Sequence, residues 1–528
     1  MGMMLLPSPA NEPGIARVYA RACRWRGPAE LFADPHERLS GHAAWEASRR
    51  FAAALPALGW QPGGVVAFLC KSSARHACAW FGVTLAGGVA CSLHVRETAP
   101  KLAEALDWLG ASVLVHDADL APLAAEVLSA AGMDSGLKAC RRVSLGAKGD
   151  AEAAWDAIQA DRTGLPSADF PPADALAGII LSSGSTGRPK GVMHTQSTLA
   201  ANARAGQQLY SQVTAQDTVL VMMQPSFAAW VNVVLPCVGG GARVVFGGVF
   251  TPAGFLEQLA AERVSLAPLV PTMWRMVLAE DVARHDLSAM RNVSISGEPP
   301  ARPDLQGIHD RVCRNISSFY CSSEAGTGAA VLATTHDILD RDKPATSGKP
   351  VVGADLKVID PAGGFDDELP PGETGEIAVA GSSLALGYWR DEALTRERYR
   401  DGWWRSGDLG RLDEDGDLFV EGRTDNLINT GGVKVHGEEV ERVLLAHPGV
   451  AQVAVVGARD ARWGERIEAH LVPRAGSWGE APSVEALDAH CRAQGLAGFK
   501  VPKAFHFVAA LPVGPTGKVY RRGLRGQG

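Results

Sequence analysis

The strongest constraint on the fold is an alternation of short β-branched runs with helical segments through the first half of the chain. "VVAFLC" (Val65 to Cys70) and "SVLVHD" (Ser112 to Asp117) read as strands. Between them, "HACAWFGVTLAGGVA" and "APKLAEALDWLG" carry apolar residues at helical spacing. Strand, helix and strand repeated in this way imply parallel sheets covered by helices. A Pro- and Asp-rich break, "GLPSADFPPADA" (Gly164 to Ala175), reads as a surface linker. The pattern resumes with "TVLVMM", "ARVVFGG" and "VSLAPLV" and ends at "NVSISG".

From about Gly348 the texture changes. "GADLKVIDPAGG", "TGEIAVAG" and "GDLFVEGR" are short strands separated by Gly, Pro and Asp turns, a small antiparallel β unit. Beyond Arg423, "EEVERVLLAH" has amphipathic helical spacing and "VAQVAVVGA" reads as a buried strand.

Composition removes several function classes. The net charge of −7 over 528 residues, with Lys and Arg dispersed apart from Arg521, Arg522 and Arg525, speaks against a nucleic-acid partner. Nine irregularly spaced Cys without a C-x-x-C fit reduced thiols, hence a cytoplasmic protein, and leave no Cys metal site. The start, "MGMMLLPSPANEPG", lacks the charged region of a signal peptide. Val219 to Phe250 carries a single charge, Arg243. Gln224, Pro225, Asn232, Pro236 and Gly239 to Gly241 interrupt it, so it reads as buried helix and strand and not as a membrane span.

The chemistry concentrates in "SSGSTGRPKG" (Ser182 to Gly191). Gly lets the main chain approach a ligand closely, and successive N–H groups form an anion-binding concavity. Ser182, Ser183, Ser185 and Thr186 add hydroxyls around Gly184 and Gly187, and Lys190 adds a mobile cation. A triphosphate is a fitting ligand. The P-loop pattern G-x-x-x-x-G-K-[ST] is not met, because Arg188 and Pro189 separate Gly187 from Lys190 and Gly191 follows the Lys. Pro189 also disfavours helix at Arg188, so delivery of phosphate to a helix N-terminus is not expected.

This stretch closely resembles the signature loop of the adenylate-forming superfamily, which includes acyl-CoA synthetases, peptide-synthetase adenylation domains and beetle luciferases. Companion motifs follow in that family's order. "SISGEPP" resembles the segment bordering adenine and the acyl pocket, which implies nucleotide contacts by Gly297, Glu298 and Pro299. "SSFYCSSEAG" is similar to the Tyr-Gly-x-Thr-Glu motif. The resemblance implies that Tyr320 packs on adenine, Ser323 reaches phosphate and Glu324 holds Mg²⁺, with Cys321 departing from the usual Gly beside the acyl pocket. "GWWRSGDLG" resembles the Gly-Asp motif, with Asp408 accepting the ribose hydroxyls. "EGRTDNLINTGGVKV" implies ribose and phosphate contacts for Arg423, a hinge at Asp425 and a thiol tunnel along Gly431 and Gly432. "GPTGKVYRR" matches the closing Lys motif and assigns Lys518 to the adenylation step.

The resemblance therefore implies an α/β fold. Its large N-terminal domain (1–424) is expected to hold helix-covered sheets, in subdomains of about 1–170 and 171–347, and a small β-barrel-like unit of about 348–424. A mobile α+β C-terminal domain (425–528) follows. The implied reaction uses ATP, Mg²⁺, CoA and a small carboxylic acid. Adenylation supplies AMP as leaving group, and a thiol then displaces it. Phe227, Ala228 and Trp230 in "QPSFAAWVNVV" stand in the acyl-pocket segment and offer no cation. Many members have Phe-His there; Phe227-Ala228 resembles benzoate-type acid–CoA ligases, which also lack the His. A compact aryl or alicyclic monocarboxylate is expected, with a short- or medium-chain fatty acid, or loading of a carrier protein's thiol, left open.

Overall fold

The computed structural model describes residues 13–130, 136–147, 149–161, 170–182, 190–298, 300–431, 433–460, 462–474, 482–512, 519 and 521–524. The chain divides into two compact units. One comprises Met1–Leu356, Val379–Trp404 and Gly416–Leu418, and the other Lys357–Ala378, Arg405–Asp415 and Phe419–Gly528.

Two large sheets lie in the first unit. Among the described residues, one has nine strands. From Ile316–Tyr320 through Asn292–Ser296, Leu266–Leu269, Thr218–Val221 and Arg243–Phe246 to Glu30–Ala33, every neighbouring pair is parallel. Antiparallel strands close both edges. The other sheet has eight strands, with parallel Val65–Leu69, Val89–Ser92 and Val113–His116 near its middle. "VVAFL" is buried at every position, as a strand covered on both faces must be. The alternation legible in the sequence is thus the crossover pattern of these sheets.

The apolar run from Val219 to Phe250 resolves into the strand Thr218–Val221, the helix Ala228–Gly239 and the strand Arg243–Phe246. The helix is buried from Trp230 to Gly239. Among the described residues no helix is long and apolar enough to cross a membrane.

A five-stranded sheet is built from segments between Ala354 and Arg423, and the chain passes from one unit to the other within several of its strands. In the smaller unit, Val433–His436, Leu427–Thr430, Gly464–Pro473 and Val450–Asp460 pair in that order, and Ala504–Phe507 joins Gly464–Pro473 in parallel. The helices Gly437–Leu445 and Val484–Ala493 bury Val440, Leu444 and Leu487 with Val455 and Ile467. Ala454, Val456, Leu511 and Leu524 form a separate small core, with Val472 and Val508 packed against it.

Candidate active site

The phosphate-loop motif is framed by a β-hairpin. Leu176–Ser182 pairs antiparallel with Lys190–Thr195, and Ser182 faces Lys190 at the last rung. Lys190 therefore opens a strand, which is the physical content of the mismatch to the P-loop pattern. Ser183, Gly184, Ser185, Thr186 and Gly187 lie outside the described residues. Gly191 must be small: a Cβ there would stand 2.9 Å from Trp108 Cη2 and 3.0 Å from Trp389 Cβ.

The free side of strand Lys190–Thr195 pairs with Gly387–Tyr388. That register brings Tyr388 to the motif residues. Lys190 Nζ stands 5.5 Å from the centre of the Tyr388 ring, within cation–π range. The Tyr388 hydroxyl donates to Glu324 Oε1 at 3.1 Å and accepts from Trp404 Nε1 at 3.2 Å. Burial, then the Glu324 charge, push the Tyr388 phenol far above its usual range, so it stays a donor. Lys190 and Glu324, 134 positions apart in sequence, thus share one aromatic neighbour.

Tyr320 ends a parallel strand, and Cys321 to Glu324 continue beyond its carboxyl end. Gly297 and Glu298 follow the carboxyl end of the adjacent parallel strand. Carboxyl ends of parallel strands are where open α/β sheets bind ligands. Gly297 has φ +98°, a conformation that favours glycine. Glu298 Oε1 accepts from Thr272 Oγ1 at 2.8 Å. Pro299 lies outside the described residues.

His194 fastens the hairpin to this segment. Its Nε2 donates to the Ser323 carbonyl at 2.8 Å, and Nδ1 accepts from Thr198 Oγ1 at 3.3 Å. The ring is wholly buried, and desolvation lowers its pKa to about 4. It is a neutral positioning group.

The acyl-pocket candidates separate. Cys321 is partly open, and its sulfur accepts from Asn232 Nδ2 at 3.6 Å. Asn232 in turn accepts from Asn202 Nδ2 at 2.9 Å. Phe227 and Ala228 are partly buried at the start of helix Ala228–Gly239. The His94 ring meets Phe227 edge-on at 5.4 Å, and burial lowers the His94 pKa below its usual value. Trp230 is fully buried among Trp80, His76 and Phe246, and its Nε1 donates to Ser72 Oγ at 2.9 Å.

The smaller unit holds a second cluster. Gly407, φ +75°, sits inside strand Trp403–Leu412, where a left-handed residue redirects the chain. Its successor, Asp408, pairs with Arg423, Nη1 to Oδ1 at 3.0 Å. Asp425 lies in the turn Thr424–Asn426. Gly431 has φ +61°, and its N–H donates to the Trp463 carbonyl at 2.7 Å. A Cβ on Gly431 would stand 2.9 Å from Trp463 Cε3. Gly432 and Lys518 lie outside the described residues.

Sequence reading passed over Tyr388, His194, His94 and Trp463. Tyr388 had a signal, since the resemblance to the adenylate-forming superfamily extends over "GEIAVAGSSLALGYW" (Gly375 to Trp389). His194 is one polar ring in an apolar strand, and nothing local marks it.

The family model for AMP-binding enzymes matches residues 19–389, and that for the AMP-binding enzyme C-terminal domain matches 439–518. The chain is an AMP-binding enzyme. A feruloyl-CoA synthase from Amycolatopsis sp is 34% identical to this AMP-binding enzyme over 510 residues, 96% of each chain. A fatty acid–[acyl-carrier-protein] ligase, ScoC, from Streptomyces coeruleorubidus is 31% identical, covering 90% of this chain and 89% of the relative. ATP-bound MatB from Rhodopseudomonas palustris superposes with a TM-score of 0.83 at 25% identity, covering 97% of this chain and 98% of that one. These matches establish the adenylate-forming superfamily and the expected α/β fold. They place this AMP-binding enzyme among ATP-dependent acid–CoA ligases, which use ATP, Mg²⁺, CoA and a small carboxylic acid.

Proposed function

We propose that this enzyme activates an aromatic monocarboxylic acid and transfers the acyl group to CoA. The observation that carries the reading is the chemistry of the acyl-pocket candidates. Phe227, Ala228 and Cys321, with Asn232 and His94 beside them, include no Lys or Arg to meet a second carboxylate. They offer an aromatic edge, a polarisable sulfur and one amide, which suit a ring bearing a polar substituent. The feruloyl-CoA synthase relative supports an aryl acid.

The roles assigned to the side chains belong to the same proposal. Ser182 to Gly187 and Lys190 hold the departing phosphates. Tyr320, with Gly297, Glu298 and Pro299, borders the adenine, and Ser323 reaches phosphate. Asp408 holds the ribose, Arg423 contacts ribose and phosphate, Asp425 is the pivot, and Gly431 and Gly432 leave room for the thiol. Glu324 suits Mg²⁺, because a hard cation takes carboxylate oxygens and Tyr388 orients this carboxylate. When bound, Mg²⁺ supplies neutralising charge for pyrophosphate. Lys518 offsets charge as the acid's carboxylate attacks the α-phosphate, so catalysis is positioning and electrostatics. We place the enzyme in the cytoplasm on the character of its thiols.

The test is AMP release from ATP and Mg²⁺ with benzoate, cyclohexanecarboxylate, ferulate and octanoate, each with and without CoA. CoA-dependent AMP release with the aryl acids is the expected result. Octanoate alone would move the assignment to fatty acids. The ScoC relative motivates one further arm. Turnover with a phosphopantetheinyl carrier protein and none with CoA would reassign the acceptor.

A further inference from the structure

Three side chains of metal-ligating type, none of them assigned a role above, converge on the sheet of the smaller unit. Glu468 and His470 stand two positions apart on strand Gly464–Pro473, so they project from the same face. Strand Ala504–Phe507 pairs with it in parallel and sets His506 directly opposite His470. One donor atom from each of Glu468, His470 and His506 lies within 4.8 Å of the others.

The details suit a transition ion better than a salt bridge alone. Glu468 is 2% exposed and His470 4% exposed. Among the described residues, His470 Nε2 is buried and has no hydrogen-bond partner. A buried imidazole nitrogen left unsatisfied is costly unless something binds it. The two imidazoles stack with centroids 4.6 Å apart and planes 21° apart, so one ring must turn for both nitrogens to meet a common ion. His506 Nε2 lies 3.2 Å from Glu468 Oε2. Bonds of about 2.0 Å at tetrahedral angles separate two ligand atoms by about 3.3 Å. The other carboxylate oxygen, Oε1, is held by Arg466 Nε at 2.7 Å and Nη2 at 2.6 Å, which fixes the orientation of Oε2.

We propose that Glu468, His470 and His506 form a binding site for Zn²⁺ or a similar borderline divalent ion. Two imidazoles and one carboxylate are the donor set of an open tetrahedral zinc site, with solvent as fourth ligand. Mg²⁺, which takes oxygen ligands, is not a competitor. The ladder places the site on the sheet face where Ala454 and Val456 contact Leu511 and Leu524, so a bound ion would brace that small core.

The experiment uses tag-free full-length protein, stripped with chelator and titrated with Zn²⁺ in millimolar Mg²⁺. Calorimetry is expected to show about one Zn²⁺ per chain, and Co²⁺ substitution the visible absorption of a four-coordinate site. His506 is the most exposed of the three, with 38% of its side chain open, so His506→Ala should fold and bind Zn²⁺ at least tenfold more weakly. His470→Gln should abolish the Co²⁺ spectrum. Absence of Zn²⁺ binding, or the same affinity in wild type and His506→Ala, overturns the proposal.

Discussion

Arg423 Nη1 lies 3.0 Å from Asp408 Oδ1, and the carboxylate is the more buried partner. Half of the Arg423 side chain meets solvent, so the pair contributes under about 1 kcal/mol to stability. In the proposed nucleotide site the pair holds Asp408 for the ribose. Asp408→Asn should leave the melting temperature nearly unchanged and raise the KM for ATP about tenfold or more, the loss expected for a charged hydrogen bond. Pyrophosphate release against ATP concentration measures this. An unchanged KM would remove Asp408 from the nucleotide site.

Tyr388 joins three groups by one hydroxyl and one ring. Tyr388→Phe leaves Trp404 Nε1 without its acceptor in a position only 3% exposed. The expected cost is about 1–3 kcal/mol of stability. Glu324 also loses an orienting donor, so half-saturation by Mg²⁺ should rise about tenfold. Thermal unfolding and an Mg²⁺ titration of activity read the two effects separately.

Gly431 is constrained twice, by φ +61° and by the Trp463 ring 2.9 Å from where a Cβ would stand. Gly431→Ala should cost about 1–2 kcal/mol through the left-handed backbone alone. If this position lines the thiol path, kcat/KM for CoA falls at least tenfold while acyl-adenylate formation persists. Equal loss in both half-reactions would indicate a structural role only.

Lys518→Ala should lower acyl-adenylate formation by about 10²-fold or more, the range for removing one preorganised charge. Thioester formation from synthetic acyl-adenylate should be spared. Single-turnover assays of each half-reaction separate them.

His194 gives the protein an acid sensitivity of known sign. Its folded pKa is lowered to about 4 from an ordinary value near 6.5. The unfolded chain binds the proton first, so the stability from a neutral His194 is complete above about pH 6.5. It is lost as pH falls toward about 4, a difference of roughly 3 kcal/mol. His194→Gln should flatten the fall in melting temperature between pH 6.5 and 4.5. An unchanged slope would assign the acid sensitivity to other groups, His76 among them.

The sheets were legible because strands such as Val65–Leu69 are short, β-branched and wholly apolar, which leaves few alternatives. Glu324 and Asp408 were legible only through the motifs around them, since one carboxylate has no intrinsic signature. Their partners were not legible, because pairing is set by register. Tyr388 reaches Glu324 only because Gly387–Tyr388 lies against Met193 and Val192. Trp463 meets Gly431 because Thr430 pairs with Gly464. Gly407 occupies a strand with a left-handed backbone, which no residue type around it announces, and that backbone sets the direction of Asp408.

The rung between Ser182 and Lys190 closes the hairpin on both sides of residues 183–189. The strands are held by their own ladder and by packing such as that of Trp108 on Gly191. The two posts are thus fixed independently of the residues between them. On the proposed assignment, substitutions confined to 183–189 should change the handling of the departing phosphates and leave acid choice, proposed to rest with Phe227, Asn232 and Cys321, unchanged.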